Sequence, residues 1–186
     1  TVELLSPSIP TITPAPNAVI CVGSSTTLTA SGCDTGVINW AYGTNTSTGT
    51  TLNVSQAGTY TATCSITKNG VTCTGAAASQ IISIINPSIP VIAASSPTVC
   101  PSANIKTTLT VSNCAGTVTW SNAQTGTTLS VTTAGSYTAT CAVTTNGVTC
   151  TSATSAAQVI TEACPAIAIV KTASAPTTAV GDKITY

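Results

Sequence analysis

"TYTATCSITKNGVTCT" occupies residues 59–74 and returns as "SYTATCAVTTNGVTCT" at residues 136–151, with four substitutions in sixteen positions. Tyr60, Ala62, Cys64 and Ile66 alternate with Thr59, Thr61, Thr63 and Ser65. That period of two puts one set on a core face and the other on a solvated face of a β-strand. Asn69-Gly70 and Asn146-Gly147 then supply the two residues that accept φ > 0 in a type I′ turn, so each stretch reads as a β-hairpin.

The repetition extends outward from the hairpins. "PSIP" at Pro7–Pro10 recurs at Pro87–Pro90, Trp40 is matched by Trp120, and "TGTTLNVSQAG" (48–58) by "TGTTLSVTTAG" (125–135). Cys21, Cys33, Cys64 and Cys73 correspond in order to Cys100, Cys114, Cys141 and Cys150. The expected layout is a first module over 7–86 and a second over 87–163, punctuated by Pro-rich junctions that cannot continue a central strand. Residues 1–6 read as the last strand of a preceding module, because "TVELLS" and "IISIIN" (81–86) both stand directly before a "PSIP". Residues 164–186 read as a linker and the first strands of a further one.

Strands are expected near 9–13, 25–31, 36–41, 51–55, 59–67 and 79–85, with the same set in the second module. Abundant Thr, Val and Ile suit a pleated, half-buried surface, and no stretch carries a helical period. Six or seven short strands in about 80 residues indicate an all-β protein of two tandem immunoglobulin-like β-sandwiches. Trp40 and Trp120 on the third strand, and Tyr60 and Tyr137 at the entry to the 59–67 strand and its counterpart, are the expected core anchors of an interior without phenylalanine.

The pattern "CVGSSTTLTASGC…W…TGTTLNV…GTYTATC…NGVTC" resembles the Ig-like modules arrayed in large surface and secreted proteins of Bacteroidota, including gliding adhesins exported by the type IX pathway. The tail "AIAIVKTASAPTTAVGDKITY" (166–186) is similar to the opening of another bacterial surface repeat. The resemblance implies an extracellular or cell-surface location.

Composition narrows the function. Charged residues make up 4% of the chain and the formal net charge is zero, which offers no basic face for nucleic acid. No apolar run approaches the ~20 residues of a membrane-spanning helix. The carboxylates Glu3, Asp34, Glu162 and Asp182 are scattered, the lysines are solitary, and histidine is absent. No general acid–base pair, His-activated nucleophile or phosphate loop can be assembled, so no catalytic residue, cofactor or metal ligand is assigned. Asn45-Thr46-Ser47 and Asn53-Val54-Ser55 match the N-glycosylation acceptor pattern.

Nine cysteines without histidine point to disulfides in an oxidising compartment. The end of the second strand should lie near the 59–67 strand across a sandwich, which favours Cys33 with Cys64 and Cys114 with Cys141. The remainder then pair Cys21 with Cys73 and Cys100 with Cys150, and the resemblance points the same way, since the family's first and last cysteines occur together. Against this, a simple sandwich puts Cys21 at the pole opposite Cys73, and Cα atoms more than ~7 Å apart cannot be bridged. Those two pairings stay open. Cys164, opposite Asn86 in the repeat, is left over and is expected to be free or bonded to another chain or module.

The function expected is a structural or adhesive extracellular element, either part of a long bacterial surface protein or the subunit of a fibre. Its partners would be neighbouring copies or modules, with Val2, Leu4 and Leu5 as an assembly strand. One alternative is a passive spacer in a secreted enzyme. Another is a carbohydrate-binding module that meets surface glycans through Tyr42 or the tryptophans.

Overall fold

Alternation becomes strand where the hairpins are written. The computed structural model describes residues 4–165. Tyr60, Ala62 and Cys64 are buried in turn along their strand, and the turns place Asn69 and Gly70 at φ 51° and 78°, Asn146 and Gly147 at 49° and 78°. Both central residues of each turn thus adopt the positive φ that a type I′ hairpin requires.

The first repeat comprises β1 (Thr11–Ala15), β2 (Val19–Cys21), β3 (Thr26–Ser31), β4 (Val37–Tyr42), β5 (Asn45–Thr48), β6 (Thr51–Val54), β7 (Gly58–Lys68), β8 (Val71–Thr74) and β9 (Ala78–Ile85). One sheet has the order β1-β3-β6; the other runs β2-β9-β7-β4-β5, with β8 beside β7. The chain therefore begins antiparallel to β3, changes sheets around Pro16, and continues as β2 parallel to β9.

The second repeat comprises β10 (Val91–Ala94), β11 (Thr98–Val99), β12 (Thr107–Ser112), β13 (Thr117–Trp120), β14 (Thr128–Val131), β15 (Gly135–Tyr137), β16 (Ala139–Thr145), β17 (Val148–Thr151) and β18 (Gln158–Glu162). Its sheets are β10-β12-β14, β11-β18-β15 and β13-β16-β17. β15 and β16 are one strand interrupted at Thr138, whose carbonyl accepts from the Ser121 N–H at 2.8 Å. With that break allowed for, both repeats are the same two-layer, Greek-key, immunoglobulin-like sandwich.

Each sandwich has its own core. Leu28, Ile38, Trp40, Val54, Ala62 and Ile82 fill the first, and Val99, Leu109, Val118, Trp120, Leu129 and Ile160 the second. The buried indoles still satisfy their donors. Trp40 Nε1–H donates to the Gly49 carbonyl and Trp120 Nε1–H to the Gly126 carbonyl, each at 2.8 Å. Buried threonines hold the sheet change, with Thr26 Oγ1 donating to the Ala15 carbonyl at 3.0 Å and Thr107 Oγ1 to the Ser96 carbonyl at 2.8 Å.

The expected strands are present, the first displaced to Thr11–Ala15. Two short ones had no expectation, β2 and β5, with β11 in the second repeat, whereas β8 and β17 are the second arms of the expected hairpins. β2, β5 and β11 are two to four residues long, too short to show a period. Among the described residues of the opening segment, 4–6 form no strand; Leu4 is exposed and Leu5 half-buried. Val2 and the early strands expected in 166–186 lie outside the described residues.

Candidate functional site at the cysteine bridges

Two bridges are equivalent, one in each repeat. Cys33, just past β3, is bonded to Cys64 on β7 (Cα–Cα 5.5 Å), and Cys114, just past β12, to Cys141 on β16 (5.6 Å). Each joins the two layers of its sandwich. The approach is tight enough to exclude a side chain at the glycine facing each bridge strand. A Cβ on Gly36 would stand 2.5 Å from the Ser65 carbonyl oxygen and 2.8 Å from Cys33 Sγ, and one on Gly116 would collide with the Ala142 carbonyl oxygen.

The Tyr60 hydroxyl donates to the Gln56 carbonyl and the Tyr137 hydroxyl to the Thr133 carbonyl, both at 2.9 Å. These are tyrosine corners at the entry to β7 and at β15. Burial, with Tyr42 alongside, raises the Tyr60 hydroxyl above its ordinary pKa.

The other pairings correct the expectation. Cys21 is bonded not to Cys73 but to Cys150 of the second repeat (Cα–Cα 5.4 Å), and Cys100 is bonded not to Cys150 but to Cys164 (4.8 Å). Cys73 is the free thiol, in place of Cys164. The reason is distance along the last strand. Cys21 pairs beside Ile85 at one end of β9, while the β7–β8 hairpin carrying Cys73 precedes its other end. Eight extended residues separate the two by over ~20 Å, beyond disulfide reach.

Parallel pairing explains Cys164. Thr98 and Val99 face Thr161 and Glu162, and the Ala163 N–H donates to the Val99 carbonyl at 2.9 Å, which brings residues 100 and 164 together. The same register sets Cys21 beside Ile85 and next to Asn86, so Cys21 has no partner at home and reaches forward. The signal was present in the replacement of Asn86 by Cys164; what was missing was the short parallel strand.

The remaining candidates separate by burial. Trp40 and Trp120 are 1% and 2% exposed, so their faces are not open to a sugar. Tyr42 is half-buried with its ring centroid 5.4 Å from that of Tyr60. Asn45 and Asn53 are exposed. Among the described residues no three His, Cys, Asp or Glu side chains gather as a metal site. A cavity of about 530 Å³ lies at the junction of the repeats, lined by Ile85, Asn86, Pro87, Asn113, Cys114 and Val143 among others.

The molecule is therefore a pair of immunoglobulin-like sandwiches braced internally and to each other by disulfides. No known family profile and no curated protein matches the chain. In structure it is similar to the ICAM-5 D1–D4 ectodomain fragment, at 19% identity and a TM-score of 0.41 over 84% of this chain and 48% of that one. It is also similar to the complex of Dpr2 Ig1–Ig2 with DIP-Theta Ig1–Ig3, at 17% identity and a TM-score of 0.28 over 83% and 65%. The chain thus spans about half the length of the former and just under two thirds of the latter. Likenesses this distant add no weight to the pairings above.

Proposed function

We propose that the chain is a load-carrying structural or adhesive element, a disulfide-stapled run of Ig-like modules (7–86 and 87–163) in a long bacterial surface protein or extracellular fibre. The observation that carries this reading is the Cys21–Cys150 bond, which ties one sandwich to the next across 129 positions. Such a bond limits how far adjoining modules can swing or be pulled apart, a property with value in a rod. Four disulfides fit an oxidising location outside the cell, and zero net charge lets rods lie side by side without mutual repulsion. Its partners are then neighbouring modules or copies of the same protein, and its role is non-catalytic.

Electron microscopy of the protein from its native source tests the reading. Thin rods or fibres are expected. Compact particles with an enzymatic activity residing in another domain would make these modules spacers instead, and glycan binding abolished by Tyr42→Ala would make them a carbohydrate-binding unit.

A further inference from the structure

Cys73 occupies the position in the first hairpin that Cys150 occupies in the second. It stands opposite Ile66 in the β7–β8 register, as Cys150 stands opposite Val143 in β16–β17. The backbone beyond also matches, with the Gly75 N–H donating to the Cys64 carbonyl at 2.9 Å and the Ser152 N–H to the Cys141 carbonyl at 2.8 Å.

The two equivalent surfaces differ in what covers them. Cys150 is 2% exposed and Val148 half-buried, because the end of β2 from the other repeat sits there, with Cys21 bonded to Cys150 and its Sγ 3.7 Å from the Thr149 carbonyl oxygen. Cys73 is half-buried and unbonded, and Val71 is 60% exposed. One copy of the hairpin thus displays the ligand that the other copy lacks.

We propose that the hairpin face of Ile66, Val71 and Cys73 is a docking site for another Ig-like module, whose cysteine at the end of its β2-type strand forms a disulfide with Cys73. The occupant comes from outside these residues. The two β2-type cysteines of this chain are consumed, Cys21 by Cys150 and Cys100 by Cys164, and Cys73 is the one of the nine cysteines left unbonded. The partner module must carry a Cys21-type cysteine and, like the first repeat, lack a Cys164-type cysteine that would bond it internally. Cys100–Cys164 closes the series in one direction; Cys73 leaves it open in the other. The proposal rests on the reading of the chain as serially braced modules.

Bond formation needs a disulfide oxidant such as oxidised glutathione or a thiol–disulfide oxidoreductase. The Cys73 thiolate attacks the oxidant's disulfide and expels one thiolate. The partner's cysteine thiolate then attacks the Cys73 sulfur of the mixed disulfide and expels the second. Two electrons and two protons pass from the cysteine pair to the oxidant.

The test duplicates residues 7–86 ahead of Pro7 in the full chain, oxidises the product with glutathione, and counts thiols by iodoacetamide alkylation without reductant. One free thiol per chain is expected, as in the parent, but moved to the Cys73 position of the inserted copy, with peptide mapping joining Cys73 to the inserted Cys21. Cys73→Ser in the same extended chain should raise the count to two. Three free thiols in the extended chain, or Cys73 alkylated in it, would overturn the proposal. Mapping of the native protein supplies the second arm. Cys73 bonded to another module supports the site, an unchanged mass on reduction placing that module in the same polypeptide and a lowered mass placing it in a second chain. A native fibre with Cys73 free would sink the docking site while leaving the structural reading standing.

Discussion

The two repeats solve the same packing problem and finish it differently. Trp40 and Trp120 donate to Gly49 and Gly126 at the same 2.8 Å, although the connection is nine residues in one and six in the other. The extra length in the first repeat is the short edge strand β5, which the second replaces with a turn through Ala123 at φ 65°. The indole anchor is thus indifferent to what happens at the sheet edge. The cysteines show the opposite sensitivity, since exchanging Asn86 for Cys164 converts a bridge between repeats into a bridge within one. Core positions tolerate divergence around them, whereas a single residue at the end of the last strand decides whether a module is tied to its neighbour or closed upon itself.

The largest effects should come from the bridges. In the chain-entropy picture, closing loops of 31 and 27 residues stabilises by about 3.5 kcal/mol each. Replacing Cys33 and Cys64 with alanine should therefore cost the first repeat as much as replacing Cys114 and Cys141 costs the second, read as loss of melting temperature. The Cys21–Cys150 loop is far longer, but its ends lie on separate repeats and the other bridges already shorten it. Removing it should cost either repeat less, under about 2 kcal/mol. A greater loss from that pair than from the internal bridges would show that the two sandwiches melt as one unit.

Glycine substitutions come next. Gly36→Ala forces a Cβ against the Ser65 carbonyl and the Cys33–Cys64 sulfurs, and Gly116→Ala against the Ala142 carbonyl. Backbone cannot give way as a side chain end can, so each should destabilise its repeat by about 1–3 kcal/mol, with Gly116 the more costly. Chemical denaturation of the two variants measures this. A neutral Gly116→Ala would mean that the strands approach less closely in the second repeat than in the first.

What was legible in the sequence was local. Alternation in 59–67, the Asn-Gly turns, the tryptophans and the tyrosines each announce themselves within one element, and the expected sandwich follows from them. What was not legible was the sheet change. β2 and β11 are three and two residues long, and their parallel pairing with the last strand is specified by a proline and a buried threonine hydroxyl rather than by periodicity. Without that pairing the proximity of Cys100 to Cys164 is invisible, and with it the reason that Cys21 must look elsewhere. Repetition itself misled, because aligned cysteines invite identical bonding within each copy, whereas here the first copy hands Cys21 to the second and the second keeps Cys100 for Cys164.

The smallest expected difference lies at the tyrosine corners. Tyr60 is buried and Tyr137 half-buried, and Tyr137 has the Thr133 hydroxyl 3.1 Å away as well as its carbonyl. Tyr60→Phe strands the Gln56 carbonyl in the drier site and should cost about 1 kcal/mol; Tyr137→Phe should cost less, since water and Thr133 remain at hand. The Tyr60 corner also carries a pH signature. Its folded pKa is raised above the ordinary 10.0, first by burial and then by Tyr42. The folded state therefore holds the phenolic proton more tightly than the unfolded chain, so this contribution is whole below pH 10.0 and is lost as pH climbs through the raised value. Thermal melts of the first repeat between neutral pH and strong alkali should show that loss, and Tyr60→Phe should flatten it. Cys73 is alkylated beforehand so that its thiolate cannot reshuffle the bridges. An alkaline slope identical in wild type and Tyr60→Phe would separate the corner's hydrogen bond from its burial and assign the loss to other groups.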